Sequence, residues 1–114
     1  MKKTKMLKKN YEFKIVLSKG NHFSGKNIDA YIKKNNKNYN LLGLAVSSKV
    51  GNAVQRNFLK RLIRENYKNV EDIIYDGYSI VFLVKKNLNV DNINFYDIKN
   101  DMNSIFDKSN LFVI

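Results

Sequence analysis

The chain has 114 residues and a formal net charge of +11, and this length suits one domain, 1–114, with a core of about two layers. Cysteine is absent, which excludes disulfides, thiolate catalysis and zinc sites built on thiols. The longest apolar run, Ile80 to Val84, is too short to cross a membrane, and the lysine-rich start lacks the apolar segment of a secretory signal, so we expect a cytoplasmic protein without a membrane role.

The first half of the chain predicts a basic arm, a helix and up to three strands. Residues 1–8 are interpreted as a flexible arm, and Asn10 suits the N-cap of a helix that ends at Gly20. Three strand-like runs follow between His22 and Ser47, namely "HFSGKN", "IDAYIKK" and "LLGLAVS". The lysines at the start are expected to add a non-specific, salt-sensitive attraction for polyanions: Lys2, Lys3, Lys5, Lys8 and Lys9.

The second half predicts a long helix, a buried strand and a closing helix. The long helix runs from about Asn52 to Lys68 and is entered through Gly51. The run "YSIVFLVKK" is apolar and β-branched, which is typical of a buried strand, and Asn94 suits the N-cap of the last helix, "FYDIKNDMNSIFDK". The resulting order, α-β-β-β-α-β-α, predicts an α/β (α+β) two-layer sandwich built on one sheet.

All three arginines of the chain lie within nine consecutive residues of the long helix, whereas its 18 lysines are spread along the sequence. At about 100° per residue, apolar side chains cover one side of this helix and basic or amide side chains cover the other. The apolar side holds Val54, Phe58, Leu59, Leu62, Ile63 and Tyr67. The other side, called the basic face below, holds Asn57, Lys60, Arg61, Arg64 and Lys68, with Arg56 at its edge.

The basic face could be an ordinary solvated helix surface, but several features favour an anionic partner. Glu65 is the only acidic residue between Arg56 and Lys68, and like charges at i,i+4 spacing repel one another. Guanidinium groups also bind phosphate oxygens two at a time, which ammonium groups do not. Residues 1–68 carry 17 basic and 3 acidic residues, against 4 and 7 in residues 69–114. A positive field of this kind attracts nucleic acid or an acidic membrane surface.

The stretch "SKVGNAVQRNFLKRLIRE" resembles the arginine- and asparagine-rich helix of the bacterial ribonuclease P protein subunit. The similarity extends over nearly the whole chain, from the basic start and first helix to the "YSIVFLVKK" strand and the last helix. One departure is Phe58, where the family commonly has a second basic residue after the asparagine; we expect one RNA contact fewer and no loss of function. The family pattern K-x-G-N-A-x-x-R-N-x-x-K-R-x-x-R is matched by Lys49, Gly51, Asn52, Ala53, Arg56, Asn57, Lys60, Arg61 and Arg64.

The resemblance implies a mixed sheet with a left-handed β-α-β crossover, against the usual rule. It also implies that the chain is the protein subunit of the ribonuclease P ribonucleoprotein, an endoribonuclease that removes the 5′ leader from precursor tRNA. The expected partners are the ribonuclease P RNA subunit and precursor tRNA, with no obligate protein partner. The RNA subunit is expected to carry the chemistry with Mg²⁺ that it mainly binds itself, so no catalytic residue and no metal ligand is assigned to this chain.

The same resemblance assigns two groups of binding residues. Phe13, Leu17 and Tyr31 are expected to line a cleft between the first helix and the sheet that holds the single-stranded leader. Aromatic faces beside cations stack bases there without strong sequence readout, although the family often has an aromatic residue where this chain has Leu17. Packing of Phe13 and Leu17 in the core is an equally weighted alternative. The expected RNA-binding group is Lys49, Asn52, Arg56, Asn57, Lys60, Arg61, Arg64 and Lys68.

The residues themselves form no recognisable catalytic site. A metal-dependent nuclease needs converging carboxylates or histidines, but the chain has one histidine, His22, and Asp97 and Asp101 on the last helix are interpreted as a solvated face. Three alternatives stay open: a generic or ribosomal RNA-binding protein without a role in cleavage, a stand-alone nuclease, and membrane-surface binding by the long helix. Only the motif spacing favours ribonuclease P over a generic RNA-binding protein.

Overall fold

The computed structural model describes residues 3–113, in which five strands form one mixed sheet and three helices pack on it. The predicted order of helices and strands is confirmed, with one further strand at the N-terminal end. The elements are β1 (Thr4–Met6), α1 (Asn10–Lys19), β2 (Asn21–Ser24), β3 (Ile28–Lys34), β4 (Asn40–Ala45), α2 (Ala53–Val70), β5 (Tyr78–Val84) and α3 (Phe95–Lys108), with short 3₁₀ turns at Glu71–Ile73 and Val90–Asn92.

The strands lie in the order β1-β4-β5-β3-β2. β4 pairs in parallel with both β1 and β5, whereas β3 pairs antiparallel with β5 and β2. The neighbouring parallel strands β4 and β5 are connected through α2, which is the β-α-β crossover that the resemblance implied; its left-handed sense stays a prediction. Successive residues of β5, Ile80, Val81 and Phe82, are all fully buried, so this central strand is covered on both faces as predicted.

The two faces of the sheet carry different helices. Ile80 and Phe82 of β5 belong to the large core formed with α2 and α3, while Val81 belongs to a smaller cluster with Val16 of α1. This division follows from the alternation of side chains along a strand. The predicted two-layer sandwich therefore describes the sheet with α2 and α3, and α1 covers only part of the opposite face.

The expectation of a flexible arm over residues 1–8 is wrong for Thr4–Met6, which form the edge strand β1. Thr4 is buried beside Asn40 of β4, and its hydroxyl lies 2.7 Å from the hydroxyl of Tyr67 on α2, to which Asn40 Nδ2 also donates at 3.4 Å. Burial raises the pKa of the Tyr67 phenol, which keeps this hydroxyl neutral. Lys2, which belongs to the predicted arm, lies outside the described residues.

The predicted N-cap is confirmed for α3 and wrong for α1, and the predicted start of α2 near Asn52 is confirmed. Asn52 and Asn94 are the N-caps of the two long helices, and each forms a reciprocal pair of hydrogen bonds with the residue three positions later. Asn10 is instead the first helical residue, and the N-cap position is occupied by Lys9, whose side chain makes no capping hydrogen bond.

The acidic side chains of α3 do not form the solvated face that was expected. Asp97 caps its own helix, because its carboxylate accepts a hydrogen bond from the backbone N–H of Asn94 at 2.9 Å. Asp101 is only 5% exposed, and its carboxylate accepts three backbone N–H groups in the β2–β3 turn, at 3.1, 2.6 and 3.1 Å. Since these donors are 73 to 75 residues away in the sequence, helical periodicity could not reveal them. Asp101 thus fastens the β2–β3 hairpin to α3.

Asp101→Asn is expected to lower the free energy of unfolding by about 2 to 3 kcal/mol, because the amide removes the charge from three converging N–H donors and adds a donor facing them. Asp107→Asn on the same helix is the matched control, since Asp107 is exposed, and its effect should stay within about 0.5 kcal/mol. Urea unfolding followed by circular dichroism measures both, and equal effects of the two variants would contradict this role of Asp101.

Candidate nucleic-acid interface

The apolar side of α2 is fixed against the sheet, and the basic face is left towards solvent. Leu59, Ile63 and Tyr67 are fully buried, which confirms the predicted orientation of the helix. On the basic face, Asn57, Arg61 and Lys68 are exposed. Arg56, Lys60 and Arg64 are partly exposed. The predicted RNA-binding side chains of α2 are therefore brought together on one accessible surface.

No carboxylate of residues 3–113 forms an ion pair with the basic face. The ion pairs in that range join His22 and Lys85 to Asp29, on β2, β3 and the end of β5. Arg56 has a neutral partner instead, because its Nη1 donates to the backbone carbonyl of Gly51 at 2.7 Å. This bond orients the guanidinium group without cancelling its charge, so the face keeps its positive field.

The start of α2 is closed by its own cap. Asn52 Oδ1 accepts the backbone N–H of Gln55 and Gln55 Oε1 accepts the backbone N–H of Asn52, both at 2.9 Å. Asn52 was predicted to bind RNA, and its side-chain nitrogen Nδ2 takes no part in this pair of bonds. Lys49, just before the helix, is exposed, and only its backbone N–H is engaged, with Ser47 Oγ at 3.2 Å.

The packing of the first two turns of α2 departs from the prediction. Val54 was assigned to the apolar, packing side, and this is wrong, since it is 78% exposed. Val54 lines an open cavity of about 760 Å³ beside the first turn of the helix. Phe58 is half-buried: it packs against the large core and also lines the cavity, with the Arg61 guanidinium carbon 5.8 Å from its ring centroid.

The residues assigned to the leader cleft lie on the opposite face of the sheet, around α1. Phe13 and Tyr31 are partly buried against the cluster of Val16 and Val81, so each serves the core and still presents a surface. Leu17, one turn after Phe13, is 36% exposed and lies outside that cluster, so core packing does not account for it. Phe13 and Tyr31 thus share one cluster on this face of the sheet, and Leu17 lies one turn further along α1. The surface that these side chains form is called the α1 groove below, and its contact with RNA stays a prediction.

Gly43 allows the Phe13 ring to approach the backbone of β4. A Cβ atom at this position would lie 2.6 Å from Phe13 Cε1, which is closer than real side chains come. The absence of a side chain on Gly43 thus sets how closely the Phe13 ring packs on β4.

Sequence reasoning missed His22 as part of this groove. The β2–β3 register places His22 opposite Tyr31, and their rings stack with centroids 4.8 Å apart and an interplanar angle of 29°. His22 Nε2 also lies 3.6 Å from Asp29 Oδ2. A strand of four residues is too short for its pattern to fix a register. The sequence therefore could not show that His22 lies opposite Tyr31.

Among residues 3–113, no group of three or more histidine, aspartate or glutamate side chains could hold a metal ion. None of the helices in this range combines the length and the apolar character needed to cross a membrane.

A mixed sheet with an unneutralised cationic helix on one face and an aromatic groove on the other defines a class of basic, polyanion-binding α/β proteins. The chain matches the family model of ribonuclease P over residues 1–110. The ribonuclease P protein component of Clostridium kluyveri is 37% identical over 108 residues, which cover 93% of this chain and 95% of that protein. The corresponding protein of Clostridioides difficile is 43% identical over 84 residues, which cover 73% of this chain and 74% of that protein.

A solved structure gives the same result. The RNase P protein of Staphylococcus aureus superposes with a TM-score of 0.83 at 29% identity, covering 94% of this chain and 96% of that one. The chain therefore belongs to the ribonuclease P protein family, whose members are protein subunits of the tRNA-processing endonuclease ribonuclease P.

Gly43→Ala is expected to lower the free energy of unfolding by about 1 to 3 kcal/mol, because the new methyl group overlaps the Phe13 ring. Combining it with Phe13→Leu should cost less than the sum of the two single changes, since the smaller side chain vacates the contested space. A double-mutant cycle by urea unfolding measures this coupling. Strictly additive effects would show that Gly43 does not set the position of Phe13.

Proposed function

We propose that the basic face of α2 binds the ribonuclease P RNA and that the groove beside α1 binds the 5′ leader of precursor tRNA. The observation that carries the proposal is a helix whose cations meet no carboxylate within residues 3–113, although they repel one another at i,i+4 spacing. Phosphates relieve this repulsion when they bind. A helix whose charged side served only to contact solvent would be more stable if acidic and basic residues alternated at i,i+4 spacing.

The α2 arginines suit phosphate binding because their geometry is fixed. Leu59 and Ile63 lock the helix to the sheet from its other side, so the cations project from a rigid element. The bond from Arg56 to Gly51 uses one of the five N–H donors of the guanidinium group and leaves the others for a ligand. Bidentate binding of phosphate oxygens is the contact for which guanidinium is suited and ammonium is not.

The α1 groove suits an unpaired strand of RNA. Tyr31 and His22 form a stacked pair, and Phe13 packs against the same buried cluster as Tyr31. Asp29, the carboxylate nearest to this pair, is engaged with Lys85 and with His22, so its charge opposes an incoming phosphate less. Stacking on aromatic faces accepts any base sequence, as a subunit that meets many different leaders requires.

Bond cleavage is assigned to the RNA subunit. Mg²⁺ bound by that RNA would supply an activated water and stabilise the leaving oxygen, whereas residues 3–113 bring together no group of three or more carboxylate or histidine side chains that could hold it. The role of this chain is to hold the RNA and to position the substrate. We place this activity in the cytoplasm, in keeping with a chain without cysteine.

The proposal is tested by cleavage of precursor tRNA at low Mg²⁺ with the chain alone, with its cognate RNA alone and with both. We expect leader removal to be restored only by the pair. Cleavage by the chain alone would establish a stand-alone nuclease, whereas binding of RNA without any gain in cleavage would establish a generic RNA-binding protein.

The leader contact is tested separately with Tyr31→Ala in the reconstituted holoenzyme. Wild type should bind precursor tRNA more tightly than mature tRNA, and the variant should lose about 1 to 3 kcal/mol of this preference with unchanged affinity for mature tRNA. Tyr75→Ala is the control, since Tyr75 is exposed and lies outside the groove. An unchanged preference in Tyr31→Ala would remove this groove from the leader path.

Arg64→Ala is expected to weaken RNA binding and to reduce the slope of log K against log salt concentration by about one unit, because one phosphate contact fewer releases one counterion fewer. Lys99→Ala, on the exposed side of α3, removes the same charge away from the basic face and should leave the slope unchanged. Filter binding at several salt concentrations measures both slopes. Equal slopes for Arg64→Ala and wild type would remove Arg64 from the interface.

A further inference from the structure

The cavity beside α2 combines flat, apolar and charged surfaces. It has a volume of about 760 Å³, within the range of sites that enclose a small organic group. Its apolar lining consists of Val54 and Phe58 of α2 and of Val90 and Ile93 of the segment before α3. Arg61 and Arg64 are its cationic residues, and Asp91 of the same segment is its acidic residue. Because charged side chains stand beside the apolar ones, the cavity differs from a purely apolar groove that would bind a protein segment.

Phe58 gives the cavity a planar wall. The ring is half-buried against the large core, so its position is fixed, and its accessible part borders the cavity. The guanidinium group of Arg61 lies at cation–π distance, 5.8 Å from the ring centroid. Two planar groups that stack well on nucleobases therefore border the same space.

The charges favour an RNA nucleotide over other occupants. Neither Arg61 nor Arg64 has an ion-pair partner within the described residues, so both remain available to phosphates on either side of an inserted base. Asp91 is an acceptor, and carboxylates accept hydrogen bonds from exocyclic amino groups such as that of cytosine. A phosphate at Asp91 would be repelled, which orients the base into the cavity and its backbone towards the arginines.

We propose that this cavity receives one unpaired nucleobase of the ribonuclease P RNA, stacked on Phe58, with its flanking phosphates on Arg61 and Arg64. The inference rests on the proposed RNA-binding role of α2 and adds to it a contact of a different kind. Phe58 replaces the basic residue of the family pattern, so a phosphate contact is exchanged for a stacking contact and is not simply lost. Asp91 selects a base that carries an amino group, which disfavours uracil.

Two substitutions separate stacking from packing. Phe58→Leu keeps apolar volume and removes the ring, and it should weaken binding of the cognate RNA about five- to a hundredfold. The salt slope should not change, because stacking releases no counterion. Phe58→Tyr keeps the ring and should bind within about twofold of wild type. Thermal unfolding of both variants shows whether the fold is retained.

A fluorescent ring reports the stacking directly. The chain has no tryptophan, so Phe58→Trp introduces a single emitter at the cavity, and its fluorescence should be quenched when the cognate RNA binds. Tyr75→Trp, at an exposed position after α2, is the matched control and should not be quenched comparably. This measurement decides the question if Phe58→Leu fails to fold.

The outcomes distinguish this inference from the function on which it rests. Unchanged affinity in Phe58→Leu, a change of its salt slope like that of Arg64→Ala, or equal emission from Phe58→Trp with and without RNA would each overturn the base contact. If Arg64→Ala still weakens binding in that case, the basic face keeps its role. If the wild-type chain does not bind the RNA at all, the proposed function itself is wrong.

Discussion

Burial of the apolar side of α2 is the interaction on which the rest of the molecule depends. Like charges spaced four residues apart on this helix cost a few tenths of a kcal/mol per pair, whereas full burial of side chains such as Leu59 and Ile63 contributes about 1.5 to 3 kcal/mol each. Packing therefore exceeds repulsion several times over. The packing of α2 on the sheet therefore holds together a row of cations that an isolated helix would tolerate poorly, so the proposed phosphate-binding surface is assembled before any RNA binds.

The same strands divide the molecule into two working surfaces. Because side chains alternate along β5, Phe82 supports the layer of α2 while Val81 supports α1 and its groove. The two surfaces differ in chemistry as a result. One presents charge on a rigid helix, and the other presents rings beside a partly covered sheet. The proposed binding of a folded RNA and of an unpaired leader would use both kinds of surface.

Local patterns predicted the part of the structure that local forces determine. The 3.6-residue period of α2 predicted its buried and charged sides, and the capping residue Asn94 predicted the start of α3. What escaped prediction depends on partners that are distant in the sequence. Asp101 was misjudged because its donors lie in the β2–β3 turn, and His22 was missed because a strand of four residues does not fix its register. β1 was missed because a lysine-rich start resembles a disordered tail. Val54 shows that the position of a residue on a helical wheel does not determine its burial, because burial also requires another element opposite that residue.

The anchoring of β1 has a consequence for how the beginning of the chain should be regarded. Through Thr4, Tyr67 and Asn40, the first strand braces the far end of α2, more than sixty residues downstream. Removal of the first residues through β1 would remove positive charge. It would also remove the Thr4 hydroxyl that pairs with Tyr67 and expose the edge of β4. Weaker RNA binding after such a truncation would reflect a destabilised fold as well as the loss of lysines. Substituting the lysines one at a time separates their electrostatic contribution from the effect on stability.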